Sequence, residues 1–169
     1  MTAARWADFD PRKLLGCLAI GGVDFVVVGG YAAVLHGSPR ITQDLDICYS
    51  REKHNLRSLG AVLLDLNARL SGVDEDVPFM PDEATLARVE LLTLETDRGK
   101  LDLLATPAGA PSYSELAARA PEYDIGGFVV RIAAVRDLIA MKEAAGRPKD
   151  LADLAELDAI ERLARGAGA

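Results

Sequence analysis

The chain has 169 residues, half of them hydrophobic, and carries a formal net charge of −7 at pH 7. That length fits one domain, and that hydrophobic fraction can form a packed core, which excludes a wholly disordered chain. The acidic balance argues against a broad nucleic-acid-binding surface, because neutralising many phosphates requires clustered Lys and Arg, but it permits contact with an RNA end or with a small molecule.

Cysteine usage and hydropathy predict a cytoplasmic protein. Cys17 and Cys48 stand far apart, in neither a metal-ligand nor a redox spacing, as expected of free thiols in a reducing compartment. No uninterrupted apolar run approaches the roughly 18 residues that a membrane span requires, and the N-terminus has no pattern typical of an export signal. We therefore expect a cytoplasmic location and no membrane contact.

The first half of the chain is predicted to alternate between helices and strands. Asp10 followed by Pro11 is typical of a helix start, because the acid can cap free backbone N–H groups and proline fits the first helical position. The run from Phe25 to Val28 is apolar throughout, which indicates a strand buried on both faces. The predicted elements are, in chain order, a helix from Pro11 to the glycines at 21–22, a strand over 25–28, a short helix over 31–36, a strand over 43–48 and a long helix capped by Ser50 and running to about Leu70.

The second half is predicted to contain two hairpins followed by helices. Asp97-Arg98-Gly99 and Gly126-Gly127 are typical hairpin turns between apolar runs. Strands alternate with helices early in the chain, and helices gather at its end. This order predicts an α/β or α+β fold with a mixed central sheet. We expect a core over 1–134 and a helical segment over 135–169 packed on it. The predicted elements are a loop over 74–81, strands over 89–96 and 100–105, a short helix from Ser112 or Ser114, strands over 122–125 and 128–133, and helices over 135–145 and 150–163.

The most informative stretch joins a glycine pair to the second predicted strand. Gly29-Gly30, between a strand and a helix, is suited to phosphate, because backbone amides can approach closely and a helix N-terminus is partly positive; a plain tight turn is the alternative. Asp44 and Asp46 lie two residues apart on a strand and so project from one face. Two such carboxylates repel unless they are exposed or hold a divalent cation between them.

A third acid fits the same site. Asp102 stands between Leu101 and Leu103 in a predicted strand, and an acid in an apolar strand indicates a salt bridge, an edge position or a metal. A hairpin packed beside the strand of Asp44 and Asp46 would bring all three carboxylates together. Three carboxylates are enough to hold two Mg²⁺ ions around a triphosphate.

The spacing of these residues resembles that of a known superfamily. The pattern resembles that of the DNA polymerase beta-like nucleotidyltransferases. It consists of Gly29-Gly30, then Asp44-Leu45-Asp46, and later Asp102. The fuller string Gly-Gly-Tyr-Ala…His-Gly…Arg-x-Thr-x-Asp-Leu-Asp-Ile is most similar to the AbiEii/MenT-type nucleotidyltransferase toxins of bacterial toxin–antitoxin systems, and the helix-break-helix over 138–153 supports that branch. The resemblance covers about residues 24–158, although the region over 65–85 contributes nothing to it.

The resemblance implies a role for each acid of the motif. Asp44 and Asp46 would hold two Mg²⁺ ions, and Gly29-Gly30 would cradle the β- and γ-phosphates of an NTP substrate. Asp102 would help to bind the catalytic metal and to deprotonate the acceptor hydroxyl.

Basic and polar residues around the motif complete the expected nucleotide site. The resemblance implies that Lys142 neutralises the triphosphate during catalysis; a helix lysine whose stem covers apolar surface is the alternative. Asp150 or Asp153 would position Lys142 or contact the nucleotide, unless they belong to a solvated capping cluster. Arg40 and Thr42 are also expected to bind the nucleotide. Ordinary structural roles are the alternative for both residues.

The resemblance implies a toxin that adds nucleotides to the 3′ end of tRNA and stops translation, with a cognate antitoxin protein as partner. An antibiotic nucleotidyltransferase is the first alternative, because lincosamide-modifying enzymes share a similar glycine and aspartate run. A protein-binding nucleotidyltransferase-like module without catalysis is the second. The complete set of Asp44, Asp46 and Asp102 argues against that last alternative.

Overall fold

The structure, a computed structural model, describes residues 8–74 and 77–168. Within these residues, seven strands form one mixed sheet and seven helices surround it, which confirms the predicted fold class. Residues 75 and 76 of the predicted loop lie outside the described residues, as do 1–7 of the predicted core and residue 169 of the predicted C-terminal segment. The helices are α1 Pro11–Ile20, α2 Gly29–Leu35, α3 Lys53–Asp65, α4 Glu83–Arg88, α5 Tyr113–Arg119, α6 Val135–Ala145 and α7 Asp150–Ala167. The strands are β1 Phe25–Val28, β2 Asp44–Tyr49, β3 Arg69–Leu70, β4 Leu91–Thr96, β5 Gly99–Leu104, β6 Glu122–Asp124 and β7 Val129–Ile132.

The sheet has the order β3-β4-β5-β2-β1-β7-β6. Both hairpins, β4–β5 and β6–β7, are antiparallel as predicted, whereas β2 runs parallel to β5 and antiparallel to β1. This arrangement places the aspartate strand β2 at the centre of the sheet, directly between the glycine turn that follows β1 and the strand that carries Asp102.

The hydrophobic core accounts for the alternation along β2. Leu45 and Ile47 are fully buried, and leucines of α1 and α3 are buried in the same core. Asp44 and Asp46 alternate with these residues and are only half-buried. Since successive strand residues point to opposite faces, burying the apolar pair directs both carboxylates to the other face of the sheet.

The predicted helix after β2 is wrong at both ends. α3 begins at Lys53 with Glu52 as its N-cap, so Ser50 does not cap it. α3 ends at Asp65, and Asn67 then takes a positive φ of 51°. The leucine spacing continues to Leu70, but the backbone there pairs with β4, whose hydrogen bonds replace those of another helical turn.

Two other boundaries differ from the prediction. α2 begins at Gly29 rather than at residue 31, so the glycine pair forms the first turn of the helix. β2 begins at Asp44 rather than at residue 43, so Thr42 and Gln43 both lie in the loop before the strand.

One helix was missed. α4 spans Glu83–Arg88, and Asp82 caps it by accepting a hydrogen bond from the backbone N–H of Thr85 at 2.7 Å. Its sequence signal is the acidic N-cap after Pro81, with Leu86 as its buried residue.

Candidate active site

The parallel pairing of β2 with β5 brings the three predicted acids together. Asp46 lies opposite Asp102 in this register, and Asp44 lies two residues before Asp46 on the same face. One carboxylate oxygen from each of the three residues lies within 4.8 Å of the others. All three side chains are half-buried, so they form one cluster in the wall of a cavity.

The glycine turn packs directly on this cluster. Val28 pairs with Asp46 between β1 and β2, so the first turn of α2 begins beside that aspartate. Gly29 has a φ of +68°, and a Cβ at this position would collide with the carboxylate of Asp46. A Cβ at Gly30 would lie 2.9 Å from Cγ2 of Thr42. A side chain at position 29 is therefore opposed both by the backbone conformation and by the approach of Asp46.

The electrostatics of the cluster favour a cation. Burial, with a further contribution from the charge of Asp44, raises the pKa of Asp46 to about 8. Burial also raises the pKa of Asp102. Among the described residues, Oδ1 of Asp102 is buried and has no hydrogen-bond partner. Repelling carboxylates with a buried free oxygen fit a divalent cation, because Mg²⁺ binds to oxygen ligands and its charge removes the repulsion.

Basic side chains from α6, from the segment after it and from the loop before β2 lie at the cavity with the acids. Nζ of Lys142 lies 3.2 Å from Oδ1 of Asp150 and 2.8 Å from Oδ2 of Asp153. Arg147 donates from Nε to Asp150 at 3.0 Å, and Arg40 forms ion pairs with Asp153 and Glu156. The acidic face of α7 therefore holds three cations at the cavity.

Asp150 is the centre of this network. It is 1% exposed, and hydrogen bonds from Arg147 and Lys142 lower its pKa to about 2. A buried carboxylate that remains ionised can hold two cations in fixed positions. Asp150 thus contacts the site through Lys142 and Arg147.

One cavity of about 720 Å³ joins the acids, the glycine turn and the cations. The predicted residues that line it are Gly29, Gly30, Arg40, Thr42, Asp44, Asp46, Asp102, Lys142 and Asp153. Thr42 enters from the loop before β2, where its hydroxyl donates to the backbone carbonyl of Asp44 at 3.4 Å.

Sequence reasoning missed Glu156 and Ser38, which line the same cavity. Glu156 accepts a hydrogen bond from Ser38 at 2.9 Å and lies 3.7 Å from Nε of Arg40. The available signal was spacing, because Glu156 follows Asp153 by three residues on α7 and so shares its face.

No helix in residues 8–74 and 77–168 has the length and apolar character needed to cross a membrane.

Comparison with known proteins identifies the family. The family model described as "Nucleotidyl transferase AbiEii toxin, Type IV TA system" matches residues 13–165. A search of curated proteins finds no match.

Solved structures share the fold at low sequence identity. The lincosamide antibiotic adenylyltransferase LnuA, in its lincomycin-bound form, is 16% identical, with a TM-score of 0.60 over 90% of this chain and 99% of that chain. ANT(2″)-Ia in complex with adenylyl-2″-tobramycin is 17% identical, with a TM-score of 0.54 over 94% of this chain and 97% of that chain.

The family match covers most of the chain, and the structural neighbours have the same fold. The resemblance expected from the glycine and aspartate motif is confirmed. This chain belongs to the AbiEii family of nucleotidyl transferase toxins, and it is a nucleotidyltransferase.

Proposed function

We propose that the chain transfers a nucleoside monophosphate from an NTP to the 3′ end of tRNA and thereby inhibits translation. The observation that carries this proposal is the cluster of Asp44, Asp46 and Asp102 beside the glycine turn, in one cavity with three cationic side chains. The family match supports the toxin role, since its description places the family in a type IV toxin–antitoxin system.

The metal site is proposed on the three acids. Asp44 and Asp46 would hold two Mg²⁺ ions, with Asp102 as a further ligand of one of them. Bound there, Mg²⁺ would stabilise the negative charge that develops on the transferred phosphoryl group. The buried free oxygen of Asp102 and the repulsion within the cluster support this assignment.

The remaining cavity residues are proposed to bind the NTP. The backbone amides of Gly29 and Gly30 would donate to the β- and γ-phosphates, because both residues line the cavity and neither carries a side chain. Lys142 would contact the triphosphate with its ammonium held by Asp150 and Asp153. Arg40 and Thr42 line the same cavity and would complete the phosphate contacts.

These proposed positions support an attack of the acceptor hydroxyl on the NTP. The acceptor hydroxyl oxygen would form a bond to the α-phosphorus of the NTP, while the bond from that phosphorus to the leaving pyrophosphate breaks. Asp102 would take the hydroxyl proton on the carboxylate oxygen that does not bind the metal.

An antibiotic is the second candidate acceptor. The two structural neighbours carry lincomycin and adenylyl-2″-tobramycin, and both share the fold of this chain. The net charge of −7 is also better suited to a cationic small molecule than to a long RNA.

An antitoxin protein is proposed as a partner, because the family belongs to a toxin–antitoxin system. We propose the cytoplasm as the place of action, where tRNA and NTPs are available.

The test is a labelling reaction with total RNA. Purified protein is incubated with Mg²⁺, total RNA and each α-labelled NTP in turn, and the products are separated on a gel. We expect label on tRNA that disappears in Asp46→Ala and persists in Asp158→Ala, an exposed α7 acid outside the cavity. Absence of label on every RNA with all four NTPs would contradict the tRNA proposal. Parallel reactions with lincomycin or tobramycin test the antibiotic acceptor.

A further inference from the structure

A second, larger cavity adjoins the candidate active site. It has a volume of about 1340 Å³ and shares Thr42, Gln43 and Asp44 with the first cavity. Phe9 and the end of the β4–β5 hairpin form one part of its wall, and β3 with residues 71–74 and 77–79 forms another. The segment after β3 contributed nothing to the family resemblance, so the motif assigns no role to this cavity.

We propose that this second cavity binds the unpaired 3′-terminal nucleotides of the RNA acceptor, by stacking and apolar contact, and that its acidic residues disfavour entry of a double-stranded stem. The proposal rests on the proposed function, since it names the part of the RNA that reaches the catalytic acids.

Two phenylalanines support stacking. Phe9 and Phe79 both line the cavity and are half-buried. Phe9 packs edge-on against Tyr31, with ring centroids 6.4 Å apart, and a Cβ at Gly99 would lie 2.8 Å from Cα of Phe9. Every nucleobase has a flat π face, so aromatic side chains bind unpaired nucleotides with little sequence preference.

The charges in the cavity limit how many phosphates it can accept. Its cations are Arg69, which is exposed, and Lys100, whose Nζ lies 3.7 Å from Glu95. Asp8 and Asp74 line the same cavity and are exposed. Two cations beside these acids can neutralise at most two phosphates, whereas a duplex stem would bring phosphates of both strands against the carboxylates.

The strand register connects this cavity to the reaction. Lys100 lies opposite Asp44 in the β2–β5 pairing, and it precedes Asp102 by two residues on the same face of β5. Two residues along a strand span about 6.7 Å. A phosphate held at Lys100 would therefore place the nucleotide that follows it toward Asp102, where the terminal hydroxyl must react.

Binding is tested directly, without catalysis. The probes are two fluorescein-labelled RNA hairpins with the same stem, one with a short unpaired 3′ tail and one blunt-ended, titrated with the full chain and followed by fluorescence anisotropy. We expect the tailed hairpin to bind about tenfold more tightly than the blunt one. Between 50 and 200 mM salt its affinity should fall by no more than about sevenfold, because two phosphates on a single strand give a slope of about −1.4.

Three variants and one control separate stacking from charge. Phe79→Ala should weaken binding of the tailed hairpin about tenfold, whereas Phe79→Trp should retain it. Met80→Ala is the matched control, because Met80 is the next residue, is 64% exposed and lies outside the cavity lining. Asp74→Asn removes an exposed acid and should tighten binding, which keeps the test informative if Phe79→Ala does not fold.

The outcomes distinguish the two proposals. The cavity assignment would be overturned if both hairpins bound equally well. It would also be overturned if folded Phe79→Ala and Asp74→Asn both bound the tailed hairpin with unchanged affinity. Either result would stand even if the enzyme labels tRNA. Tail-dependent binding without any label transfer would instead support the cavity assignment and contradict the proposed reaction.

Discussion

Replacing Asp46 by Asn should stabilise the metal-free protein. Folded Asp46 has a pKa of about 8, whereas an unfolded aspartate has the ordinary value of 3.8. The carboxyl therefore contributes most to stability below pH 3.8, and this contribution is lost as the pH rises towards 8. Asn is neutral at every pH, is the same size as Asp, and can donate a hydrogen bond towards Asp102, which lies opposite it in the β2–β5 pairing.

The magnitude follows from the pKa difference. Each pH unit between the two pKa values corresponds to about 1.36 kcal/mol, which gives about 4 kcal/mol at pH 7. Asp46 is half-buried, and solvent and neighbouring side chains reduce this penalty, so we expect a gain of about 2 kcal/mol. For a domain of this length, a gain of that size raises Tm by about 4–8 °C.

Thermal unfolding in EDTA at several pH values measures the gain. The Tm difference between Asp46→Asn and wild type should be small near pH 4 and largest near pH 8, and added Mg²⁺ should raise the Tm of wild type more than that of the variant. Asp158→Asn, which neutralises an exposed helix acid, is the control for net charge. A Tm for Asp46→Asn equal to or below that of wild type at pH 8 would refute the proposed repulsion.

Three further predictions concern the glycine turn, the acidic face of α7 and metal binding. Gly29→Ala should abolish transfer, and it should lower the free energy of unfolding by more than the roughly 1–2 kcal/mol that the left-handed backbone alone costs, because the added Cβ meets Asp46. Denaturant unfolding measures this loss. Gly22→Ala is the control for the backbone cost alone, because Gly22 has a φ of +72° and lies in open space. Asp150→Asn should raise the KM for NTP about tenfold in steady-state assays, because Lys142 and Arg147 lose a charged hydrogen-bond partner, and an unchanged KM would contradict this role. Mg²⁺ affinity measured by calorimetry should rise between pH 6 and 8 as Asp46 loses its proton, and a pH-independent affinity would argue against Asp46 as a ligand.

The sequence predicted the acid cluster well because each part of it has a local signal. Asp44 and Asp46 alternate with buried Leu45 and Ile47, and Asp102 stands between two buried leucines. Period-two alternation assigns such residues to one face of a strand. The parallel register that sets Asp46 against Asp102 has no local signal, since more than fifty residues separate the two.

The prediction failed where tertiary pairing overrode local spacing. Leu66 and Leu70 continue the leucine spacing of α3, yet the chain turns at Asn67 and pairs with the edge of β4. The six residues of α4 give too short a pattern to identify from hydrophobic spacing alone. The ion pairs between Lys142 and α7 depend on how two helices pack after a break, which the sequence indicated only as a possible contact.

The charge distribution of the site indicates an order of binding. Each of the three cations at the cavity is already paired with acids of α7, so the cations offer little unneutralised charge to a triphosphate. Asp44, Asp46 and Asp102 face them from the sheet and repel further negative charge. A highly negative NTP would therefore bind weakly to the metal-free cavity, and it becomes well matched only when divalent cations enter with it or before it. This dependence of NTP binding on divalent cations arises because the three strand acids and the acidic face of α7 lie at the same cavity.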